Sequence, residues 1–283
     1  VGQFLKLSRP GLWFPTIWLY MLPLSGVEIF ESLNFWLGLF YVTFPLNFMV
    51  YAWNDMYDVE TDLNNVRKGN FLFGAKATSD QLKVVPKAIL LVQVFTALPL
   101  VILTNFKLAW VFVALALVLA LYNHPKVSLK DKAPFELTCQ IGYLLIIPFS
   151  IILNGTIAIP GWTIFYLALF ALQSHLMGEV MDIVPDSKVG KRTTAVVLGM
   201  YKTKLLIIAI VAAEVFVSAY IFQDVLFTGM LACGLIWLFI DLFLVFKTKA
   251  YSLQQMYLFG YASNAIAFSS MAYTWYSGCL LNY

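Results

Sequence analysis

The sequence predicts an all-α fold, a polytopic membrane helical bundle of about nine transmembrane helices. Three observations predict it. The 283 residues are 61% hydrophobic and 12% charged, with a mean hydropathy of +0.82, whereas soluble domains average about 45–50% apolar and about 25% charged. Nine apolar stretches have the length of a bilayer crossing. The basic residues fall almost entirely on one side of the topology those stretches define.

A crossing helix needs about 20 apolar residues, at about 1.5 Å each against a hydrocarbon core about 30 Å thick. The qualifying runs are 12–30, 35–54, 85–104, 107–123, 135–154, 161–181, 203–222, 225–246 and 255–276. Each is predicted helical, because an unpaired strand in lipid leaves its backbone groups unsatisfied. The first run exceeds the about 7–15 apolar residues of a secretory signal, so it is expected to stay as the first span. The whole of 1–283 reads as a single transmembrane domain.

The connections 55–84, 124–134 and 182–202 hold most of the polar residues. They follow the second, fourth and sixth spans and so share one side. Of the 18 Lys and Arg residues, 17 fall on that side and only Lys107 lies opposite. Excess Lys and Arg marks the cytoplasmic face. The N-terminus and all three loops are therefore expected in the cytoplasm, and the C-terminus on the opposite side.

A net charge of +3 without a basic domain or finger motif gives no reason to expect a nucleic-acid partner. Cys139, Cys233 and Cys279 are isolated in apolar stretches and form no zinc or disulfide pattern.

Chemistry concentrates in two acidic clusters. After the second run, Asp55, Asp58 and Asp62 are spaced three and four apart, with Asn54 beside them and Asn47 and Tyr51 extending a polar stripe into the span. After the sixth, Glu179, Asp182 and Asp186 repeat the spacing, with His175 four residues earlier. On a continuing helix each set shares one face. Like charges at about 4 Å repel by about 4 kcal/mol at an effective dielectric near 20, which a cation relieves. Oxygen ligands without thiolates select Mg²⁺ or Ca²⁺ over zinc, and Mg²⁺ commonly bridges one or two carboxylates to substrate phosphates. The spacing thus points to two clusters facing one another across a metal-bound diphosphate.

With these motifs in order, the chain resembles the UbiA superfamily of intramembrane prenyltransferases. Asn54, Asp55, Asp58 and Asp62 match its N-D-x-x-D-x-x-x-D motif. Asp182 and Asp186 match D-x-x-x-D, and Tyr122 and Lys126 match Y-x-x-x-K. The resemblance implies that Asn54, Asp58, Asp182 and Asp186 ligate Mg²⁺, with Asp55 and Asp62 completing the site. Arg67, Lys68, Lys126 and Arg192 become the residues for the diphosphate, and Tyr122 is placed near the reacting end of the prenyl chain. The implied reaction transfers a prenyl group from a prenyl diphosphate (geranylgeranyl or shorter) to a lipophilic acceptor in the bilayer, releasing pyrophosphate.

The run Asn64-Asn65-Val66-Arg67-Lys68-Gly69 and the Asp182-Ile183-Val184-Pro185-Asp186 motif are similar to the lycopene elongase branch, which makes a carotenoid the favoured acceptor. Quinone-type, aromatic-acid, chlorophyll-type and glycerol-ether acceptors stay open, as does terpene cyclisation. The rival class is a membrane transporter of a small solute, whose site would lie near the midplane. Among single residues, Glu214 is expected to face the bundle interior, Asp241 to have a structural partner, His175 to be a hydrogen-bonded core residue and Arg9 to be an interfacial anchor, or else to reach an acidic acceptor.

Overall fold

The apolar runs fold as helices throughout. The computed structural model describes residues 2–156 and 158–283. The helices are α1 (Gly2–Leu7), α2 (Phe14–Met21), α3 (Leu33–Asp55), α4 (Val59–Asn64), α5 (Ser79–Leu82), α6 (Val85–Leu103), α7 (Leu108–Asn123), α8 (Phe135–Gln140), α9 (Ile146–Asn154), α10 (Gly161–Lys188), α11 (Thr194–Val217), α12 (Val225–Ile240) and α13 (Leu253–Ser277). Among the described residues the extended pairing is limited to two isolated bridges, Asn70 with Gly74 and Lys132 with Arg192.

Each of the nine expected runs contains helix, although 12–30 is helical only as far as Leu24. Among the described residues six are long and apolar enough to cross a membrane: Leu33–Asp55, Ser79–Leu103, Phe135–Asn154, Gly161–Lys188, Thr194–Phe222 and Val225–Val245. Phe14–Leu24 and Leu108–Asn123 are apolar but shorter. The 25-residue α13 falls outside the six, and its sequence carries several Gln, Ser, Asn and Tyr residues. The chain is a multi-pass integral membrane protein, and among the described residues six helices meet the length and composition needed.

The described chain gathers into two compact units. One comprises Val1–Ser128 with Leu145–Ala158, the other Leu129–Leu144 with Ile159–Tyr283.

In the first unit, α3 packs against α2, α6, α7 and α9. Its interior Pro45 has no N–H to give and obstructs the preceding turn. Side chains from neighbouring helices satisfy the carbonyls there. Asn47 Nδ2 donates to the carbonyls of Val42 at 2.8 Å and Thr43 at 2.7 Å. Thr16 of α2 also donates to Val42, at 2.8 Å, and Gln93 of α6 donates to the Pro45 carbonyl at 3.1 Å. Apolar surroundings offer no water for these groups, so such repairs are what permits proline inside a span. Asn47 is therefore occupied in repairing its own helix and does not extend the acidic stripe. Packed aromatic rings (Tyr20, Tyr41, Phe112 and Phe149) fill the adjoining core, with centroids 5.1–5.8 Å apart.

The second unit is organised by α10 lying along α11, with Leu176, Val180, Ile207 and Val211 buried between them beside Tyr251 and Met256. Gly199, at φ 78° and ψ 164°, breaks α11 after its first turn. Glu214, further along α11, is buried as expected. α12 ends in a π-helical turn, Asp241–Val245. There Lys204 and Asp241 form an ion pair at 2.7 Å, with both side chains no more than 4% exposed. Tyr251 donates to Asp241 at 2.9 Å, and Lys204 donates to the Lys247 carbonyl at 3.0 Å. Asp241 thus has the structural partner that was expected.

Candidate active site

The first acidic motif is built on a helix break. α3 stops at Asp55, Met56 and Tyr57 turn, and Asp58 occupies the N-cap position of α4. Asp55, Asp58 and Asp62 therefore do not share a face of one continuous helix. Asp58 begins a new one, and Asp62 lies in its first turn, where a carboxylate is favoured by the helix dipole. All three aspartates are buried, and Asn54 is half-buried.

Beyond α4 the chain makes a tight loop built by asparagine side chains. Asn65 accepts from the Arg67 N–H at 3.2 Å. Asn70 accepts from the N–H groups of Leu72 and Phe73 at 2.9 and 2.8 Å, and donates to the Arg67 carbonyl at 2.6 Å. Such Asx contacts fix a turn without secondary structure. The loop sets the Arg67 guanidinium over the Phe73 ring, 5.2 Å from its centroid.

It also carries Lys68 into the first motif. Lys68 Nζ lies 2.9 Å from Asp55 Oδ1 and 2.9 Å from Asp62 Oδ2. Asp55 Oδ1 accepts in addition from Arg9 Nη2 at 2.7 Å, and the Arg9 guanidinium lies over the Tyr51 ring at 4.6 Å. Arg9 is therefore not a snorkelling surface anchor. Its side chain is 17% exposed and is ion-paired to the motif through Nη2. Burial pushes the Asp62 carboxyl up, Lys68 and Arg9 pull it back, and nearby Asp55 raises it again, leaving it at about 6. For Arg9, burial works against the charge, but Asp55 and Asp62 outweigh it and hold the guanidinium above its ordinary value.

In the second unit α10 runs unbroken to Lys188 through Pro185, so Glu179, Asp182 and Asp186 do stand on one helix. Asp186 is buried, with Lys191 Nζ at 3.8 Å. Glu179 serves another purpose. Its Oε2 accepts from the Ala195 N–H at 2.9 Å, and Glu136 Oε1 of α8 accepts from the Thr194 N–H at 2.6 Å. With Thr193 accepting from Val196 at 3.4 Å, three acceptors cover the first free N–H groups of α11. His175 Nε2 stands 3.1 Å from Glu179 Oε1. Glu179, grouped with Asp182 and Asp186 by the three-and-four spacing, thus caps α11. Glu179→Ala leaves a buried N–H unpaired, and should cost about 1–3 kcal/mol. The effect should appear as a lower Tm in detergent, largely restored in Glu179→Gln. An unchanged Tm with an altered Mg²⁺ requirement would return Glu179 to the metal site.

The remaining sequence-predicted residues are placed as follows. Tyr122 and Lys126 lie at and just beyond the end of α7, Tyr122 half-buried and Lys126 exposed, with the Lys126 N–H donating to His124 Nδ1 at 3.3 Å. Arg192 is exposed, and its carbonyl accepts from Ala133 N–H at 2.9 Å. Among the described residues no three His, Cys, Asp or Glu side chains gather as a metal cage. That fits Mg²⁺, which takes one or two carboxylates together with substrate phosphates. The side-chain donors that the two motifs offer, from Asn54, Asp58, Asp182 and Asp186, are oxygens, the ligand type Mg²⁺ takes.

Residues 12–264 match the UbiA prenyltransferase family. The chain belongs to that family, and is by that membership a prenyltransferase. It is 26% identical over 198 residues to a lycopene elongase/hydratase of Corynebacterium glutamicum, covering 68% of each chain. It is 29% identical over 216 residues to a lycopene elongase/hydratase of Haloarcula japonica, covering 72% of this chain and 69% of that one. In fold it is similar to a UbiA homolog from Archaeoglobus fulgidus bound to DMAPP and Mg²⁺, with a TM-score of 0.67 at 17% identity over 95% of this chain and 99% of that one.

Proposed function

We propose that the protein catalyses Mg²⁺-dependent transfer of a prenyl group from a prenyl diphosphate to a carotenoid acceptor held in the bilayer, releasing pyrophosphate. The observation that carries this reading is the completeness of the motif set within the family match: Asn54, Asp58, Asp182 and Asp186, with Tyr122 and Lys126. Asn54 and Asp58 from the first motif, and Asp182 and Asp186 from the second, are the residues that would hold the metal. The bound metal would neutralise charge growing on the departing pyrophosphate.

The chain's own residues account for the remaining steps. Arg67, Lys68, Lys126 and Arg192 bind diphosphate oxygens, and the Arg67 fork suits two of them at once. As the allylic C–O bond breaks, its electron pair leaves with the pyrophosphate. The acceptor carbon then supplies electrons to the allyl cation, and the product loses a proton. Apolar and aromatic walls keep water from the cation, and ring faces such as that of Tyr122 stabilise it. The distribution of Lys and Arg supports a cytoplasmic N-terminus and motif loops, with the C-terminus opposite.

The two lycopene elongase/hydratase relatives and the Arg67-Lys68-Gly69 form of the loop support the acceptor class. Protein in nanodiscs would be given lycopene, a quinone ring precursor or a phenolic acid, each with dimethylallyl, geranyl or geranylgeranyl diphosphate. A lycopene product heavier by one donor prenyl group is expected. Alkylation of the ring compounds alone would discard the carotenoid acceptor while leaving prenyl transfer standing.

A further inference from the structure

We infer that Asp55 and Asp62 are positioning residues, which with Arg9 form a buried ionic frame holding the Lys68 ammonium ready for the diphosphate, and that they are not ligands of the metal. This rests on the prenyl-diphosphate reading above.

Four chain segments meet in the frame. Arg9 comes from the turn after α1, Asp55 from the end of α3, Asp62 from α4 and Lys68 from the asparagine-built loop. Two cations face two carboxylates, so the group is neutral without a divalent ion. Asp55 Oδ1 already receives both the 2.7 Å hydrogen bond from Arg9 and the 2.9 Å one from Lys68. The Lys68 side chain is only 5% exposed. An ammonium has three donors, and two of them are taken by Asp55 and Asp62, which leaves one for a substrate oxygen. An unrestrained lysine would give up about 2 kcal/mol of rotamer entropy to make that contact, and the frame removes that freedom in advance.

The backbone is shaped around Arg9. Gly74, at φ 99°, lies against the guanidinium so closely that an added Cβ would stand 2.9 Å from Arg9 Nε. Any larger residue there would push the loop away from the frame. With Asp55 and Asp62 given to the frame, the first-motif positions left to ligate the metal are Asn54 and Asp58.

Two contributions to Asp55→Asn oppose each other. Losing a negative charge would by itself tighten diphosphate binding, whereas losing the anchor would weaken it. Asp55 Oδ2, buried and without a hydrogen-bond partner, is the atom through which a metal role would act. The experiment titrates a non-hydrolysable geranyl thiolodiphosphate into detergent-solubilised full-length protein by calorimetry, once with Mg²⁺ and once with EDTA. Free Mn²⁺ is followed separately by EPR.

Asp55→Asn is expected to weaken analogue binding about tenfold in both conditions while keeping the wild-type Mn²⁺ affinity. Asp58→Asn should lose Mn²⁺ affinity and should weaken the analogue only when Mg²⁺ is present. In a Lys68→Met background, Asp55→Asn should add no further loss. If Asp55→Asn does not fold, Asp62→Asn, on the more exposed carboxylate, is read by the same criteria. Tighter or unchanged analogue binding, or a loss confined to the Mg²⁺ arm together with weaker Mn²⁺ binding, would overturn the positioning role. Failure of the wild type to bind the analogue would overturn the prenyl-diphosphate reading itself, a separate and recognisable outcome.

Discussion

Asp58→Ala and Asp182→Ala are each expected to lower kcat/KM for pyrophosphate release by about 10²–10³-fold or more, the cost of removing one preorganised stabiliser of charge developing in a transition state. The two variants should act alike, although Asp58 stands just before a short helix and Asp182 lies within a long one. Their shared effect would be chemical. Asp58 is buried and Asp182 half-buried, so turnover is expressed per folded molecule and Tm is read beside it. Raising Mg²⁺ should recover part of the activity of a conservative variant such as Asp58→Asn, which keeps an oxygen donor. A large drop in Tm with unaltered turnover per folded molecule would move Asp58 from the chemistry to the fold. The direct assay is pyrophosphate release at varied Mg²⁺, with the folded fraction measured on the same sample.

The largest stability effect is expected at Lys204 and Asp241. Neither side chain reaches solvent, and the pair is completed by Tyr251 and the Lys247 carbonyl. Removing one partner leaves the other as a buried uncompensated charge, at about 3–5 kcal/mol. Lys204→Met or Asp241→Leu alone should therefore lower Tm sharply in detergent, by tryptophan fluorescence on heating. The double variant, which removes both charges and keeps apolar volume, should recover most of the loss. Two losses that simply add would show that the pair does not act as a unit. Lys204 belongs to α11 and Asp241 to the π-helical end of α12, so the pair ties the two helices together. The Lys247 N–H reaches back to the Asp241 carbonyl at 2.8 Å, beside the ion pair.

The helical architecture was legible because lipid requires it: long apolar runs have one conformation that satisfies their backbone. The number of crossings was less legible. Apolarity of a run sets its composition but not how far its helix extends, so 12–30 gives only the short apolar helix Phe14–Leu24. The break in the first motif carried a local signal, since Asp58 followed by Glu60 and Asp62 is the charge pattern of a helix start. The three-and-four spacing is also satisfied by one continuous helix, and the sequence does not choose between the two.

Glu179 was read with the metal-binding face because its spacing to Asp182 and Asp186 is helical. Its real occupation depends on the N-terminus of α11 arriving beside it, together with Glu136 of α8. No local pattern encodes that arrival. Arg9 was missed for the same reason. Beside Pro10 at the edge of an apolar run it has the look of a surface anchor, and only the fold brings it to Asp55. Residue types and order thus pointed to the chemistry, while the long-range pairings set the partners of Glu179, Asp55 and Arg9.

Mg²⁺-dependent prenyl transfer is read out by pyrophosphate release from wild-type protein in nanodiscs supplied with a prenyl diphosphate and lycopene, with Mg²⁺ and with EDTA. The expected result is release with Mg²⁺ alone, matched in amount by prenylated product. Folded protein that releases no pyrophosphate with any donor and acceptor, or that releases it equally in EDTA, would contradict it.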